Sequence, residues 1–231
     1  MKVLFLRIWG WVWKTLSILF ILHLFYILLL RWVNPPITTT QLSRWMNGDG
    51  LTRDYVGWDE ISVPMKLAVI SSEDQLFPFH NGFDWKSIQE AAQKNKKSKR
   101  VRGASTISQQ VAKNVFLWQG RSWLRKGLEV YFTFMIELAW GKKRILEVYL
   151  NVAETGKGTF GVEAAARKYF KKPASKLTQT EAAMIAAALP NPKRYTLKPV
   201  SSYVLSHYGH VVTQMNNLIF VPEVADLVNA P

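Results

Sequence analysis

Cysteine is absent from the 231-residue chain, which excludes disulfide bridges, a thiol nucleophile and a cysteine-based zinc site. Acidic residues are also few: 16 Asp and Glu stand against 30 Lys and Arg, giving a formal net charge of +14. Such an excess attracts an anionic partner, which could be nucleic acid, an acidic membrane surface or a phosphate-bearing substrate. Charge by itself does not choose among these three.

A long hydrophobic run near the amino terminus narrows the choice. Residues 8–30 are long enough, as a helix, to span the hydrocarbon core of a membrane. Lys2, Arg7 and Lys14 precede or open the run, whereas only Arg31 follows closely. The positive-inside rule therefore predicts a cytoplasmic amino terminus with the rest of the chain outside, which argues against nucleic acid as the partner.

A cleaved signal peptide is the alternative interpretation of this run. The run is longer than the apolar core of a usual signal peptide, and no small-x-small cleavage site follows Arg31. We therefore predict a cytoplasmic tip and transmembrane anchor over residues 1–33, a linker over 34–58 and one compact domain over 59–231.

Helical periodicity dominates the predicted domain, and no series of alternating strands is present. Ser62, Asp84 and Thr178 stand where helix N-caps are expected, each just before a helical pattern. Residues 106–116 and 121–140 carry apolar side chains at helical spacing. The fold class is therefore predicted to be mainly α.

Two stretches are predicted to be non-helical. Residues 94–102 form a basic run, KNKKSKRVR, and residues 155–161 are rich in glycine. The basic run is either an ordinary solvated loop or a mobile loop that meets lipid head groups or a substrate diphosphate. The glycine-rich stretch lacks the pattern of a phosphate-binding P-loop.

A first candidate constellation begins with two adjacent acids. Glu73 and Asp74 end an apolar helix, and Phe77, His80 and Gly82 precede the next helix cap. A carboxylate beside apolar groups loses solvation, which raises its pKa and makes it a stronger base. The alternative is purely structural, with the acids ending a helix and His80 making a hydrogen bond within the fold.

A second constellation lies at the start of the next predicted helix. Gly103 is followed by hydroxyl residues, and the free backbone N–H groups of a helix start form a ready anion site. Thr106, Gln110 and Lys113 share one helix face, which could hold a sugar diphosphate. An ordinary N-cap followed by a polar helix face explains the same residues equally well.

A third constellation combines two cations with an acid. Arg125 and Glu129 are four residues apart, with Lys126 beside them. Such residues often form a surface ion pair of little energetic value. In a functional interpretation, the cations neutralise a leaving diphosphate while Glu129 completes the site.

Taken together and in order, these segments resemble the family 51 glycosyltransferases, the peptidoglycan transglycosylases. The family's E-D-x-x-F-x-x-H-x-G-x-D is matched at residues 73–84, its G-x-S-T-I-x-Q-Q at 103–110 and its R-K-x-x-E at 125–129. A fourth motif, K-x-x-I-L-E-x-Y-L-N, is close to residues 142–151, and the similarity covers roughly residues 60–195. Ala104 departs from the second glycine that many relatives carry.

This resemblance implies a lysozyme-like helical glycosyltransferase domain preceded by a single transmembrane helix. It implies an enzyme that polymerises lipid II into β-1,4-linked glycan strands, with inversion and release of undecaprenyl diphosphate, for cell-wall biosynthesis and cell shape. The single anchor is similar to that of monofunctional members from Gram-negative bacteria, which places the chain in the inner membrane with a periplasmic domain. The Ser-x-x-Lys and Lys-Thr-Gly motifs of bifunctional relatives are absent.

Residue roles and partners are implied by the same resemblance. Glu73 is expected to be the general base and Glu129 a second catalytic carboxylate. No cofactor is expected as a certain requirement, although a divalent Mg or Mn ion could assist. The expected partners are lipid II, the growing lipid-linked glycan, membrane lipids and other cell-wall synthesis and division proteins. The expected substrate-binding residues are Asp74, Phe77, His80, Ser105, Thr106, Gln109, Gln110, Lys113, Asn114, Arg125 and Lys126.

Two other functions compete with this expectation. A lysozyme-like glycan hydrolase would also use two carboxylates, but it has no diphosphate leaving group to neutralise. A non-catalytic membrane scaffold of the wall-synthesis complex would explain the anchor and the basic charge, but not both glutamates within intact motifs.

Overall fold

The computed structural model describes residues 2–97, 103, 105–120 and 122–230, with side chains left out for residues 2–8, 92 and 95–97. Two units are present, Met1–Pro35 and Pro36–Pro231. Helices dominate both units, which confirms the predicted mainly-α class. In chain order the elements are α1 (Lys2–Leu29), α2 (Thr39–Met46), β1 (Thr52–Arg53), α3 (Val63–Glu73), α4 (Trp85–Lys97), α5 (Ile107–Phe116), α6 (Trp123–Ala139), α7 (Lys142–Val152), β2 (Glu154–Gly156), β3 (Thr159–Phe160), α8 (Val162–Ala165), α9 (Gln179–Ala188), α10 (Ser202–Leu218) and α11 (Pro222–Asn229).

The first unit consists mainly of helix α1. Its segment Trp9–Leu29 has 21 residues and a mean hydropathy of 2.0, which makes it long and apolar enough to cross a membrane. The predicted apolar helix is therefore confirmed, and its length and composition are consistent with a single-pass membrane anchor.

The segment predicted as a linker, residues 34–58, belongs largely to the second unit, which begins at Pro36. Thr38 caps α2, since its Oγ1 accepts a hydrogen bond from the Gln41 N–H at 3.2 Å. Thr39 in turn donates to the carbonyl oxygen of Leu117 at 2.6 Å, just beyond the end of α5. The stretch thus contains a short capped helix, which has too little periodicity to stand out in a polar sequence, and the domain bounds stay a prediction.

The predicted helix starts are confirmed at Ser62, Asp84 and Thr178. Ser62 accepts from the Met65 N–H at 3.3 Å, and Asp84 accepts from the Ser87 N–H at 2.9 Å. Each cap satisfies a backbone donor that a helix start leaves unpaired. The position of these caps therefore follows from local residue types.

The basic run departs from its prediction at its beginning. Helix α4 continues to Lys97, so the first four residues of the run are helical. Lys94 makes an ion pair with Glu90 one turn earlier, at 3.3 Å, which favours continuation of the helix. Residues 98–102 and Ala104 lie outside the described residues, so the remainder of this prediction stays a prediction.

Two helix groups form the core of the second unit. Helix α3 packs against α9, α10 and α11, and every residue from Met65 to Ser71 is buried. Helix α5 packs against α2, α6 and α7. The glycine-rich stretch is non-helical as predicted: β3 pairs in parallel with β1 and antiparallel with β2. The end of α3 and one face each of α5 and α7 meet, because Gln110 on α5 hydrogen-bonds to both Glu73 and Tyr149.

Gly82 occupies a position that only glycine fits. Its φ is +88°, and a Cβ added there would lie 2.7 Å from Cγ2 of Thr133. Its carbonyl oxygen accepts a hydrogen bond from the Thr106 hydroxyl at 2.7 Å, so the turn is tied to the start of α5. The glycine in the first motif thus has a direct steric cause.

We expect Gly82→Ala to lower the free energy of unfolding by about 1–3 kcal/mol, because backbone strain and the contact with Thr133 add together. Chemical denaturation of the full chain in detergent measures the change. Gly209→Ala is the matched control: nothing lies within 4 Å of a Cβ at this position on α10, so stability should stay level or rise. Equal losses in the two variants would contradict this explanation.

Candidate active site

A groove of about 1330 Å³ opens beside the end of α3, the polar face of α5 and the segment that follows α9. A groove of this size accommodates a large substrate. The predicted site residues that line it are Glu73, Asp74, Ser105, Thr106, Gln110, Lys113 and Asn114. Its walls also include Tyr149, Tyr195 and Tyr203, which were not predicted as site residues.

Glu73 is the last residue of α3 and combines partial exposure with a desolvated carboxylate. Its Oε2 accepts a hydrogen bond from Nε2 of Gln110 at 2.7 Å. Its Oε1 is screened from solvent and has no hydrogen-bond partner among the described residues. Burial raises the pKa of Glu73 above its ordinary value, and the Gln110 hydrogen bond and the Lys113 charge oppose that rise only in part. Such a carboxylate is a stronger base than an ordinary glutamate.

Tyr149 is a buried residue that the sequence interpretation did not select. It lies on α7, is 2% exposed, and donates its hydroxyl to Oε1 of Gln110 at 3.2 Å. A tyrosine hydroxyl inside a protein normally needs a partner, so a tyrosine within an apolar helix was the available signal. The sequence alone does not predict which residue is this partner, because Gln110 lies on another helix.

Lys113 lies one turn beyond Gln110 on α5 and also lines the groove. Burial lowers the pKa of Lys113 below its ordinary value, and the neighbouring charges of Arg125 and Lys126 act in the same direction. The carboxylates of Glu129 and Glu73 oppose this effect. Lys113 is therefore electrostatically coupled both to the proposed base and to the charged group on α6.

The charged group on α6 consists of Arg125, Lys126 and Glu129. Nη1 of Arg125 lies 3.1 Å from Oε2 of Glu129, and Nζ of Lys126 contacts Oε1. The Arg125–Glu129 pair is shielded, since Glu129 is only 3% exposed, whereas the Lys126 side chain is 43% exposed. None of the three side chains is among the described residues that line the groove, and Lys113 connects them to it.

Three predicted residues of the first motif hold loops together. Asp74 accepts from the Ile107 N–H at 3.0 Å, which is the first backbone donor of α5. It also pairs with Nε2 of His80 at 3.0 Å, while the His80 Nδ1 accepts from the Gly82 N–H at 3.2 Å. Phe77 is fully buried. The structural alternative therefore accounts for all three, and direct substrate contact by Phe77 or His80 stays a prediction.

In the second motif, some predicted residues have structural roles and others are placed to contact a ligand. Thr106 and Gln109 form a capping box at the start of α5, with the Thr106 N–H donating to Oε1 of Gln109 at 3.0 Å. Ser105 is exposed in the groove, and Asn114 lies in its wall, where its carbonyl oxygen accepts from Thr39 at 3.1 Å. Ser105 and Asn114 are thus placed for contact with a ligand, whereas Gln109 is 3% exposed.

A divalent metal would need several oxygen or nitrogen ligands close together. Among the side chains that the structure describes, no group of three or more His, Asp or Glu is placed to hold an ion. The Glu129 carboxylate is already paired with Arg125 and Lys126. These residues do not fit an all-protein metal site, and no chemical step is assigned to a metal.

The helical fold and its large polar groove are typical of an enzyme. Comparison with protein families identifies which class of enzyme this is. The family model described as "Transglycosylase" matches residues 39–216. The chain therefore belongs to the transglycosylase family and is an enzyme with that family's lysozyme-like helical domain. The match begins at the first residue of α2, within the second unit.

Individual relatives are similar over most of their length. A protein of Mannheimia succiniciproducens is 59% identical over 165 residues, which cover 71% of this chain and 68% of that relative. One from Pseudomonas entomophila is 52% identical over 198 residues, covering 83% and 84%. One from Yersinia pestis is 50% identical over 222 residues, covering 93% and 92%. All three are named "Biosynthetic peptidoglycan transglycosylase".

The lowered pKa of Lys113 predicts early loss of its charge as pH rises. A group with a depressed basic pKa loses its proton at a lower pH than an ordinary lysine, and removal of Glu129 should depress it further. We expect Glu129→Gln to move the Lys113 titration to lower pH. A ¹³C-lysine NMR titration of the full chain, assigned with Lys113→Arg, measures both midpoints.

Glu223→Gln, an exposed carboxylate on α11, is the control for this titration and should leave the Lys113 midpoint unmoved. An identical Lys113 midpoint in wild type and Glu129→Gln would refute the coupling between α5 and α6.

Proposed function

We propose that this chain is a peptidoglycan glycosyltransferase that joins lipid II units into glycan strands, as the names of its relatives indicate. One observation carries the proposal: a desolvated carboxylate, Glu73, and a desolvated cation, Lys113, line the same groove and their charges interact. A transfer from a diphosphate donor needs both a base and a cation.

In the proposed reaction Glu73 is the general base. A sugar hydroxyl is a poor nucleophile, so a carboxylate must take its proton as the oxygen attacks. The Glu73 carboxylate takes this proton; Gln110 donates to its Oε2, and its Oε1 has no partner among the described residues. The acceptor 4-hydroxyl oxygen bonds to the anomeric carbon of the donor, with inversion and a β-1,4 link. The bond from that carbon to the diphosphate breaks, and the lipid diphosphate leaves with the electron pair.

The departing diphosphate gathers negative charge that nearby cations must stabilise. Lys113 is the groove-lining cation whose charge interacts with Glu73, and it also interacts with Arg125 and Lys126 on α6. Glu129 holds these two cations in place through its ion pairs. We assign Glu129 to this organising role, which fits its deep burial better than a role in proton transfer.

The exposed apolar surface of α6 supports a membrane-bound substrate. Trp123, Leu124, Phe134 and Leu138 are large apolar residues on this helix and are all exposed. A soluble protein rarely exposes such a set on one helix unless it meets a partner or a membrane. We propose that α6 works at the outer leaflet of the inner membrane, with the domain in the periplasm and the amino terminus in the cytoplasm.

Incubation of purified full-length protein with lipid II tests this function. Long polymer that lysozyme digests is the expected product, together with free undecaprenyl diphosphate. A glycan hydrolase would instead release fragments from finished cell-wall glycan and leave lipid II intact. A scaffold would do neither, so polymer-free reactions with correctly folded protein would overturn the proposal.

We expect Glu73→Gln to keep its fold but lose turnover by about 10²–10⁴-fold, because the amide cannot accept the hydroxyl proton. Polymer formation from lipid II, followed at saturating substrate, measures the loss. Glu223→Gln removes a carboxylate of the same type outside the groove and should retain full activity. Near-normal synthesis by the Glu73 variant would remove this residue from the role of base.

A further inference from the structure

A chain of three hydrogen-bonded side chains ends on the proposed base. Tyr149 on α7 donates its hydroxyl to Oε1 of Gln110 at 3.2 Å. Gln110 on α5 donates from Nε2 to Oε2 of Glu73 at 2.7 Å. One amide therefore connects the two groups, and each of its ends serves one of them.

The direction of this chain matters because an amide has one donor end and one acceptor end. Rotation by 180° about its last bond exchanges the two ends. A neutral phenol that donates to the oxygen leaves the N–H₂ group facing Glu73. Burial raises the pKa of Tyr149 well above its ordinary value, so its hydroxyl keeps the proton that it donates. An N–H donor facing the carboxylate favours the ionised form of Glu73.

We propose that Tyr149 is a positioning residue for the transfer reaction: its hydroxyl fixes the Gln110 amide so that the N–H₂ group faces Glu73. Tyr149 thus acts on the base through Gln110. This inference rests on the proposed function, because it requires Glu73 to be the base.

Few other groups influence the charge of Glu73. Lys113 on α5 favours the carboxylate, whereas the neighbouring Asp74 opposes it. Helices α9 and α10 pack against α3, and no charge from their described residues contributes to the shift of the Glu73 pKa. The Gln110 hydrogen bond is therefore a principal means of keeping this desolvated carboxylate ionised.

Tyr149→Phe tests the inference by removing the hydroxyl while the ring stays packed. Without this donor the amide can turn its oxygen toward Glu73, which disfavours the ionised carboxylate and raises its pKa. We expect the acidic limb of the kcat profile for lipid II polymerisation to move up by about 0.5–1 pH unit. At neutral pH, kcat should fall by up to about tenfold, with KM little changed and activity recovering at higher pH.

Tyr169→Phe is the matched control. Tyr169 is half-buried and bonds to Thr159 through its hydroxyl, and it is not among the described residues that line the groove. Its pH profile should superimpose on that of wild type. A purely structural role for Tyr149 would lower the melting temperature without moving the acidic limb, and that result would overturn the inference.

A double-mutant cycle separates action through Gln110 from any other route. Gln110→Ala should move the acidic limb upward by itself, and adding Tyr149→Phe should then change nothing more. Independent, additive shifts would contradict the inference. Absence of polymer with wild type is a different failure, since it rejects the proposed function before Tyr149 is tested.

A wild-type measurement is decisive if Tyr149→Phe does not fold. The ¹³Cζ NMR signal of Tyr149 should show an inflection at the pH where Glu73 titrates, and Gln110→Ala should diminish it to the part that the Glu73 charge exerts directly on Tyr149. A Tyr149 signal that stays flat through the Glu73 titration would overturn the inference.

Discussion

The removal of two opposite charges from water within one groove is the constraint that organises this site. Burial alone would drive Glu73 and Lys113 toward their neutral forms, because each charged form loses hydration. Each group is kept charged in part by the other, and the amide of Gln110 adds a hydrogen bond to the carboxylate. The Glu73 carboxylate and the Lys113 ammonium are thus parts of one electrostatic arrangement, although they come from two different helices.

That arrangement requires α3 and α5 to be held in register, and Asp74, the residue next to the proposed base, provides the connection. Asp74 accepts from the first backbone N–H of α5 and from His80, so the end of one helix is fastened to the start of the other. Adjacent acids in one motif therefore do different work. Asp74 holds the structure together through its hydrogen bonds, whereas one carboxylate oxygen of Glu73 has no protein partner among the described residues.

Local features of this fold were predictable from sequence, and features that depend on packing were not. Helix caps such as Ser62 and Asp84 were found because a hydroxyl or carboxylate before a periodic segment has one main use. The contact between Tyr149 and Gln110 spans 39 residues and depends on how α5 lies against α7. Helical spacing did place Gln110 on the face of Lys113, whereas the burial of the adjacent Gln109 depends on packing and was not predicted.

The coupling between base and cation also affects how a diphosphate would act after it binds. A diphosphate bound beside Lys113 would raise the pKa of this lysine and so keep it charged while the ligand covers it. The same anion raises the pKa of Glu73, because a second negative charge disfavours the carboxylate. A carboxylate with a higher pKa is a stronger base, provided that it starts ionised. Under the proposed function, the donor would therefore strengthen the base that activates the acceptor, while the Gln110 hydrogen bond lowers the Glu73 pKa and favours its ionised form.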